Sequence, residues 1–310
     1  MENIVFLDAA TLGKDISLAP LAEKGRLQVY DTSRPEEVPE RIARAHVVIV
    51  NKVRLFQDQI DAAPHLRLIC VAATGTDNVD SAYAQSKGIA VKNVKGYSTH
   101  SVAQLTFSHI LALVQQTGYY DSYVHSGTYI HSPIFTHLAR PFWELRGKRL
   151  GIIGMGEIGQ RVAAIAVAFG MEVVYYSTSG TAHCRLYPCL SLEEILSGSD
   201  VVSIHAPLNA STRNLIAFPQ LSLMKPTALL INMGRGGIVN ESDLVNALNQ
   251  GLIAGAGVDV FSQEPLPAGH PFYGIAKQDS LLLSPHIAWT SIEARACLVS
   301  MLAENIQSFI

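Results

Sequence analysis

The chain has 310 residues, 48% of them hydrophobic and 16% charged, with a formal net charge of −3. That length suits one large or two ordinary domains, and the composition excludes a disordered chain. Without clustered Lys and Arg nucleic acid is not an expected partner, and no run approaches the roughly 20 apolar residues of a membrane span.

The opening MENIVFLDAA carries Glu2 and Asp8 around an apolar run and lacks a basic start, so it reads as a first strand rather than a signal peptide. IVFLD (4–8), HVVIV (46–50), LRLICVA (66–72) and AVKNV (90–94) read as strands. Between them PEEVPERIARA (35–45) and DSAYAQSKG (80–88) read as helical, the second closing on Gly88 as a C-cap. A longer helical pattern runs from about Ser101 to Gln116, and an irregular stretch rich in Tyr, His and Pro follows (118–142). A second strand series then begins: RLGIIG (149–154), EVVYY (172–176), DVVSIHA (200–206), TALLINM (227–233), AGAGVDV (254–260) and SLLLS (280–284). This alternation predicts an α/β protein, with two doubly wound parallel-sheet domains in one chain.

Four scattered cysteines (Cys70, Cys184, Cys189, Cys297) give no disulfide framework, which implies a reducing, cytoplasmic setting. Cys184 and Cys189 with His183 match no common zinc spacing, so no metal site is predicted.

Gly154-Met155-Gly156-Glu157-Ile158-Gly159 follows the strand at 149–154 and precedes the helical run QRVAAIAVAFG. In that setting each glycine has a mechanical task. Gly154 permits the tight turn, Gly156 lets backbone amides approach a pyrophosphate, and Gly159 lets the helix pack close to the strand. The ribose-binding acidic position that would end the second strand falls at Ser177. A hydroxyl neither repels nor specifically binds a 2′-phosphate, so NAD and NADP both remain open.

Three polar residues lie just beyond strand ends: Arg235, Glu264 and His286. An isolated His after a strand is more often an ordinary loop residue, but the set beside a dinucleotide loop suits keto-acid reduction. Arg offers a planar fork for a carboxylate, His a proton near neutral pH, and Glu a partner for the imidazolium.

The sequence resembles the D-isomer-specific 2-hydroxyacid dehydrogenase family over essentially its full length. The resemblance is carried by TGTDNVD (74–80), NVKGYSTHSVAQ (93–104), GMGEIG (154–159), HAPLNAST (205–212), LINMGRGGIVNE (230–241), GVDVFSQEP (257–265) and SPHIAW (284–289). It implies a Rossmann dinucleotide-binding domain (99–287) inserted in a flavodoxin-like substrate domain (1–98 and 288–310), with the cleft between them. It also implies roles: Arg235 binds the substrate carboxylate and carbonyl, His286 is the acid/base, and Glu264 holds and polarises His286. Amides of Thr74 and Gly75 would complete the carboxylate site, with Tyr97 and Ser101 near the cleft, although these two serve equally well as hinge or packing residues. Trp289 would cap the substrate pocket or pack. The implied cofactor contacts are the glycine loop from Gly154 to Gly159, Ser177, His205, Ala206, Pro207, Thr212, Met233, Gly234 and Asp259, the last near the nicotinamide carboxamide. Helix 101–116 and the segment after it resemble the family's homodimer interface.

Within the family, His286-Ile287-Ala288-Trp289, Glu293-Ala294-Arg295, Val50-Asn51-Lys52 and Gln104 resemble the glycerate dehydrogenase (hydroxypyruvate reductase) branch. Reduction of hydroxypyruvate or glyoxylate to D-glycerate or glycolate is therefore expected. A D-lactate or other 2-keto acid reductase is the nearest alternative. An NAD(H)-sensing corepressor-like protein is the alternative of another class.

Overall fold

Strand β1 (Asn3–Phe6) shows the layering in miniature, because Ile4 and Phe6 pack into one apolar cluster while Val5 and Leu7 pack into another. Only a strand covered by helices on both faces buries its side chains in this way. In the computed structural model, which describes residues 2–309, the chain forms two compact units. One comprises the chain up to Ser98 together with the segment from Trp289 onward, and the other spans Thr99–Ala288.

The smaller unit continues through α1 (Ala19–Ala22), β2 (Arg26–Val29), α2 (Val38–Ile42), β3 (Val47–Val50), α3 (Gln57–Asp61), β4 (Leu68–Val71), α4 (Ser81–Ser86) and β5 (Ala90–Lys92). Its five strands are parallel in the order β2-β1-β3-β4-β5, the flavodoxin-like arrangement. Strand β2, absent from the sequence expectation, is an edge strand whose residues are mostly exposed, so no apolar run marks it.

The larger unit opens with α5 (Thr99–Gln115) and α6 (Thr117–His125). It continues through β6 (Arg149–Ile153), α7 (Glu157–Ala168), β7 (Glu172–Tyr176), α8 (Leu192–Gly198), β8 (Val201–Ile204), α9 (Phe218–Leu221), β9 (Leu229–Asn232), α10 (Glu241–Asn249), β10 (Gly255–Val258) and β11 (Leu281–Leu283). Six parallel strands take the order β7-β6-β8-β9-β10-β11, a Rossmann sheet whose order reverses between β6 and β8. Ligands of such sheets bind beyond the carboxyl ends of the strands at that reversal.

The stretch read as irregular is in part helical. Gln116 adopts a left-handed backbone (φ 54°) that ends α5, and α6 follows directly. No residue of α6 is buried, so it shows no apolar stripe. Aromatic contacts steady it instead: Tyr123 stacks on His137 with centroids 3.7 Å apart, and the Tyr119 hydroxyl lies 2.7 Å from His137 Nε2.

The last helix, α11 (Ile292–Gln307), belongs to the smaller unit. Leu298, Val299, Leu302, Ala303 and Ile306 pack on the sheet face formed by Ile4, Phe6, Ile49, Leu68 and Cys70. Burial there pushes the Cys70 thiol up to about 12, which makes it a core residue rather than a reactive thiol. Among the described residues no helix is long and apolar enough to cross a membrane.

Candidate active site

The glycine loop joins β6 to α7, and its three glycines meet different surroundings. Gly154 has φ 94°, and a Cβ there would stand 2.9 Å from the Ala206 amide nitrogen. A Cβ at Gly159 would stand 2.3 Å from the Gly154 carbonyl oxygen, so helix and turn touch through backbone alone. Gly156, the N-cap of α7, would meet nothing within 4 Å. The turn is thus closed on the protein side and open at the residue from which the helix amides emerge. A pyrophosphate fits this cradle, because the first-turn amides of a helix lack intrahelical partners and carry partial positive charge.

Close backbone approach continues across the strand ends. A Cβ at Gly234, after β9, would stand 2.9 Å from the Ala206 carbonyl oxygen after β8. One at Gly236 would stand 1.9 Å from the Phe261 carbonyl after β10. The loops after β6, β8, β9 and β10 therefore form one packed rim. Met155, Ala206 and Met233 are buried in it. Thr212 is buried too, its hydroxyl donating to the Pro207 carbonyl (2.7 Å) and accepting from the Asn209 amide (2.8 Å). That hydroxyl thereby sets the shape of the loop holding Pro207. His205 Nε2 lies 2.8 Å from the Ser203 hydroxyl and its Nδ1 is buried without a partner among the described residues, and burial pulls the imidazole down to about 3. Beyond β7, Ser177 is fixed by donating to the Thr181 carbonyl at 2.6 Å.

Arg235 sits in the turn after β9. Asn232, itself buried, bridges that turn: its side-chain amide donates to the Arg235 carbonyl (3.2 Å) and its oxygen accepts from the Gly234 amide (3.2 Å). Arg235 Nη1 donates to the Gly234 carbonyl at 2.8 Å. Among the described residues no carboxylate pairs with this guanidinium. A cation so held is suited to an incoming anion.

Glu264 and His286 meet directly. His286 Nδ1 lies 2.8 Å from Glu264 Oε2 and 3.0 Å from Oε1, and Oε1 also accepts the Phe261 amide at 3.0 Å. The carboxylate is thus held by the rim before it holds the imidazole. A carboxylate acceptor at Nδ1 requires a proton there, which leaves Nε2 as the nitrogen that can give or take one.

His286 itself has φ 54°, a left-handed conformation that costs a residue with a Cβ about 1–2 kcal/mol. Asp259, fully buried, holds it there. The Asp259 carbonyl accepts the His286 amide at 2.8 Å. Its Oδ1 accepts the Ser284 hydroxyl (2.6 Å) and the Ile287 amide (2.9 Å), and Oδ2 accepts the Ala288 amide (2.9 Å). Burial raises the Asp259 carboxyl above its ordinary range, opposed by the Ser284 hydroxyl and the amides of Ala288 and Ile287. Ser101 donates to the Ala288 carbonyl at 2.6 Å, tying the first turn of α5 to the same segment.

In the smaller unit, Thr74 and Gly75 follow β4, with the Thr74 carbonyl accepting the Asn93 side chain at 2.6 Å and its hydroxyl donating to the Val94 carbonyl at 3.1 Å. Tyr97 and Trp289 meet edge to face with centroids 6.3 Å apart, and both pack against the core beneath α11. Asp8, beyond β1, was not singled out as a site residue by the sequence. Its buried carboxylate accepts the amides of Asn51, Lys52 and Val53 at 2.8, 2.6 and 2.9 Å, and burial raises its carboxyl. Asp8 thereby orders the loop after β3 as Asp259 orders the loop after β11.

Residues 107–288 match the family model described as the NAD-binding domain of D-isomer-specific 2-hydroxyacid dehydrogenases. Glycerate dehydrogenase of Methylorubrum extorquens is 36% identical over 100% of this chain and 96% of its own length. The crystal structure of Aquifex aeolicus D-lactate dehydrogenase with NAD and lactic acid superposes with a TM-score of 0.86 at 28% identity, over 99% of this chain and 95% of that one. The NADPH-dependent glyoxylate/hydroxypyruvate reductase of Sinorhizobium meliloti, solved with NADP and malonate, has a TM-score of 0.81 at 25% identity, over 99% of this chain and 93% of that one.

Proposed function

The chain belongs to the D-isomer-specific 2-hydroxyacid dehydrogenases, NAD(P)-dependent oxidoreductases acting on the CH–OH group of 2-hydroxy acids, and on that premise we propose that it reduces hydroxypyruvate and glyoxylate. The products would be D-glycerate and glycolate. The observation that carries the proposal is the contact between His286 Nδ1 and Glu264 at 2.8 Å.

A keto-acid reduction consumes one hydride and one proton. NADH or NADPH supplies the hydride to the carbonyl carbon. His286 Nε2 delivers the proton to the carbonyl oxygen, and Glu264 stabilises the imidazolium before transfer and the correct tautomer after it. Arg235 pairs with the substrate carboxylate and polarises the carbonyl, a task for which its fork geometry is suited. Amides of Thr74 and Gly75 take part in carboxylate binding. The backbone from Gly154 to Gly159 would hold the cofactor phosphates, and the loops carrying His205, Ala206, Pro207, Met233 and Gly234 would flank the rest of it. Ser177 accepts either form of the ribose. A small substrate agrees with Tyr97 and Trp289 packed against each other. The names of the Methylorubrum and Sinorhizobium relatives favour the same substrate class.

Initial rates with hydroxypyruvate, glyoxylate and pyruvate, each with NADH and NADPH, test the assignment. Preference for the first two supports it, and strong preference for pyruvate replaces it with a D-lactate dehydrogenase. Absence of turnover on all three, with NADH bound, favours a cofactor-sensing protein.

We further propose that the chain is a homodimer joined through the surface around α6. Ile130, Phe135 and Leu138 are 81%, 88% and 77% exposed there, and exposed apolar side chains gathered in one segment are of the kind that a protein–protein interface covers.

A further inference from the structure

On α5, His109 is a buried imidazole on a helix face shared with Val102, Leu113 and the buried Thr106, whose hydroxyl donates to the Val102 carbonyl. Among the described residues its Nδ1 has no hydrogen-bond partner, and its Nε2 lies 3.3 Å from the Ser284 hydroxyl. A leucine would fill such a position without an unpaired nitrogen, so the imidazole needs a reason to be there. Room has been made for it: a Cβ on Gly257 would stand 2.7 Å from His109 Nδ1 and 3.0 Å from its Cβ. Any larger residue at 257 displaces the ring.

The direction of the hydrogen bonds follows from the acceptors. Ser284 donates its only hydroxyl proton to Asp259 Oδ1 at 2.6 Å. Toward His109, therefore, the serine oxygen can only accept, and the proton between them must sit on His109 Nε2. A neutral imidazole protonated at Nε2 leaves Nδ1 as a bare lone pair, which is the form an apolar pocket tolerates. Burial accordingly pulls His109 down to about 4.

We propose that His109 is a positioning residue for His286, acting through Ser284 and Asp259. The chain runs from His109 Nε2–H to the Ser284 oxygen, and from the Ser284 hydroxyl to Asp259 Oδ1. With its torsion fixed in this way, the Asp259 carboxylate presents one oxygen to the Ile287 amide and the other to the Ala288 amide, both at 2.9 Å. Those amides follow His286 directly and hold its left-handed backbone, so they aim the imidazole at Glu264. The part of this inference that concerns catalysis rests on the role given to His286 above. The part that concerns loop order does not.

The variants are His109→Leu, which removes the donor, His109→Gln, whose amide nitrogen falls near the position of Nε2, Ser284→Ala, and the His109→Leu/Ser284→Ala pair. Amide hydrogen exchange of the full-length protein reports loop order whether or not a substrate is known. In His109→Leu the Ile287 and Ala288 amides should exchange at least about tenfold faster while those of β9 and β10 keep their protection. With hydroxypyruvate, kcat should fall about tenfold with KM and the NADH dissociation constant within about twofold of wild type, the mark of a loss confined to the transition state. His109→Gln should recover most of both readouts, and His109→Leu should add nothing in the Ser284→Ala background. Wild-type exchange at Ile287 and Ala288 in His109→Leu overturns the proposal, as does an effect that adds fully to that of Ser284→Ala. If His109→Leu fails to fold, Ser284→Ala alone must loosen the two amides, and unchanged exchange there overturns it equally. Should the wild type reduce no keto acid, the functional reading fails while the exchange result still decides the positioning claim.

Discussion

Glu264 does two things with one carboxylate, accepting the Phe261 amide through Oε1 and facing His286 Nδ1 through both oxygens. The Phe261 amide therefore helps to set its orientation, and its charge faces the imidazole. Glu264→Gln preserves the size and most hydrogen bonds but removes that charge. Its kcat for hydroxypyruvate reduction should fall about 10- to 100-fold, a part of what acid–base catalysis supplies, with NADH affinity unchanged. Steady-state rates and NADH fluorescence titration check both halves. Arg235, Glu264 and His286, the residues proposed for the chemistry, could be singled out in the sequence because each is a polar residue within a few positions of the end of an apolar strand. Asp8 and His109 could not, because their partners are set by the fold: Asp8 meets Asn51 across 43 residues and His109 meets Ser284 across 175. No local pattern marks such contacts.

Among the elements, the β6–α7 turn carries a strict packing demand. With 2.3 Å between a Cβ at 159 and the Gly154 carbonyl oxygen, Gly159→Ala must push α7 away from the turn. Overpacking of this kind costs about 1–3 kcal/mol. The variant should lose thermal stability and bind NADH more weakly, while the exposed Gly274 mutated to Ala serves as a control, with no positive φ and no neighbour within 4 Å of the added Cβ. An unchanged melting temperature and NADH affinity in Gly159→Ala would contradict the packing argument. The strands of both sheets were legible wherever both faces are covered, since such strands read as apolar runs. β2 escaped because it is an exposed edge, and α6 because aromatic stacking rather than an apolar stripe supports it. The pairing of strands into the orders β2-β1-β3-β4-β5 and β7-β6-β8-β9-β10-β11 is a tertiary property, reached from the sequence only through family resemblance.

At the scale of the whole molecule, the exposed apolar surface around α6 and the acid–base pair make separate claims. In the proposed dimer Phe135, 88% exposed in the single chain, would meet the second copy. Phe135→Asp should shift the sedimentation of the protein from dimer to monomer, because a charge at the centre of a packed interface must be desolvated there. A wild type that sediments as a monomer would remove the dimer proposal and leave the chemistry untouched. The central claim concerns His286, and the most direct test is the rate of hydroxypyruvate reduction by His286→Ala beside wild type, with NADH binding measured on the same samples. The account predicts a fall of about 100- to 10,000-fold in kcat with NADH affinity retained. Activity within about tenfold of wild type, with the cofactor bound normally, would show that another group moves the proton.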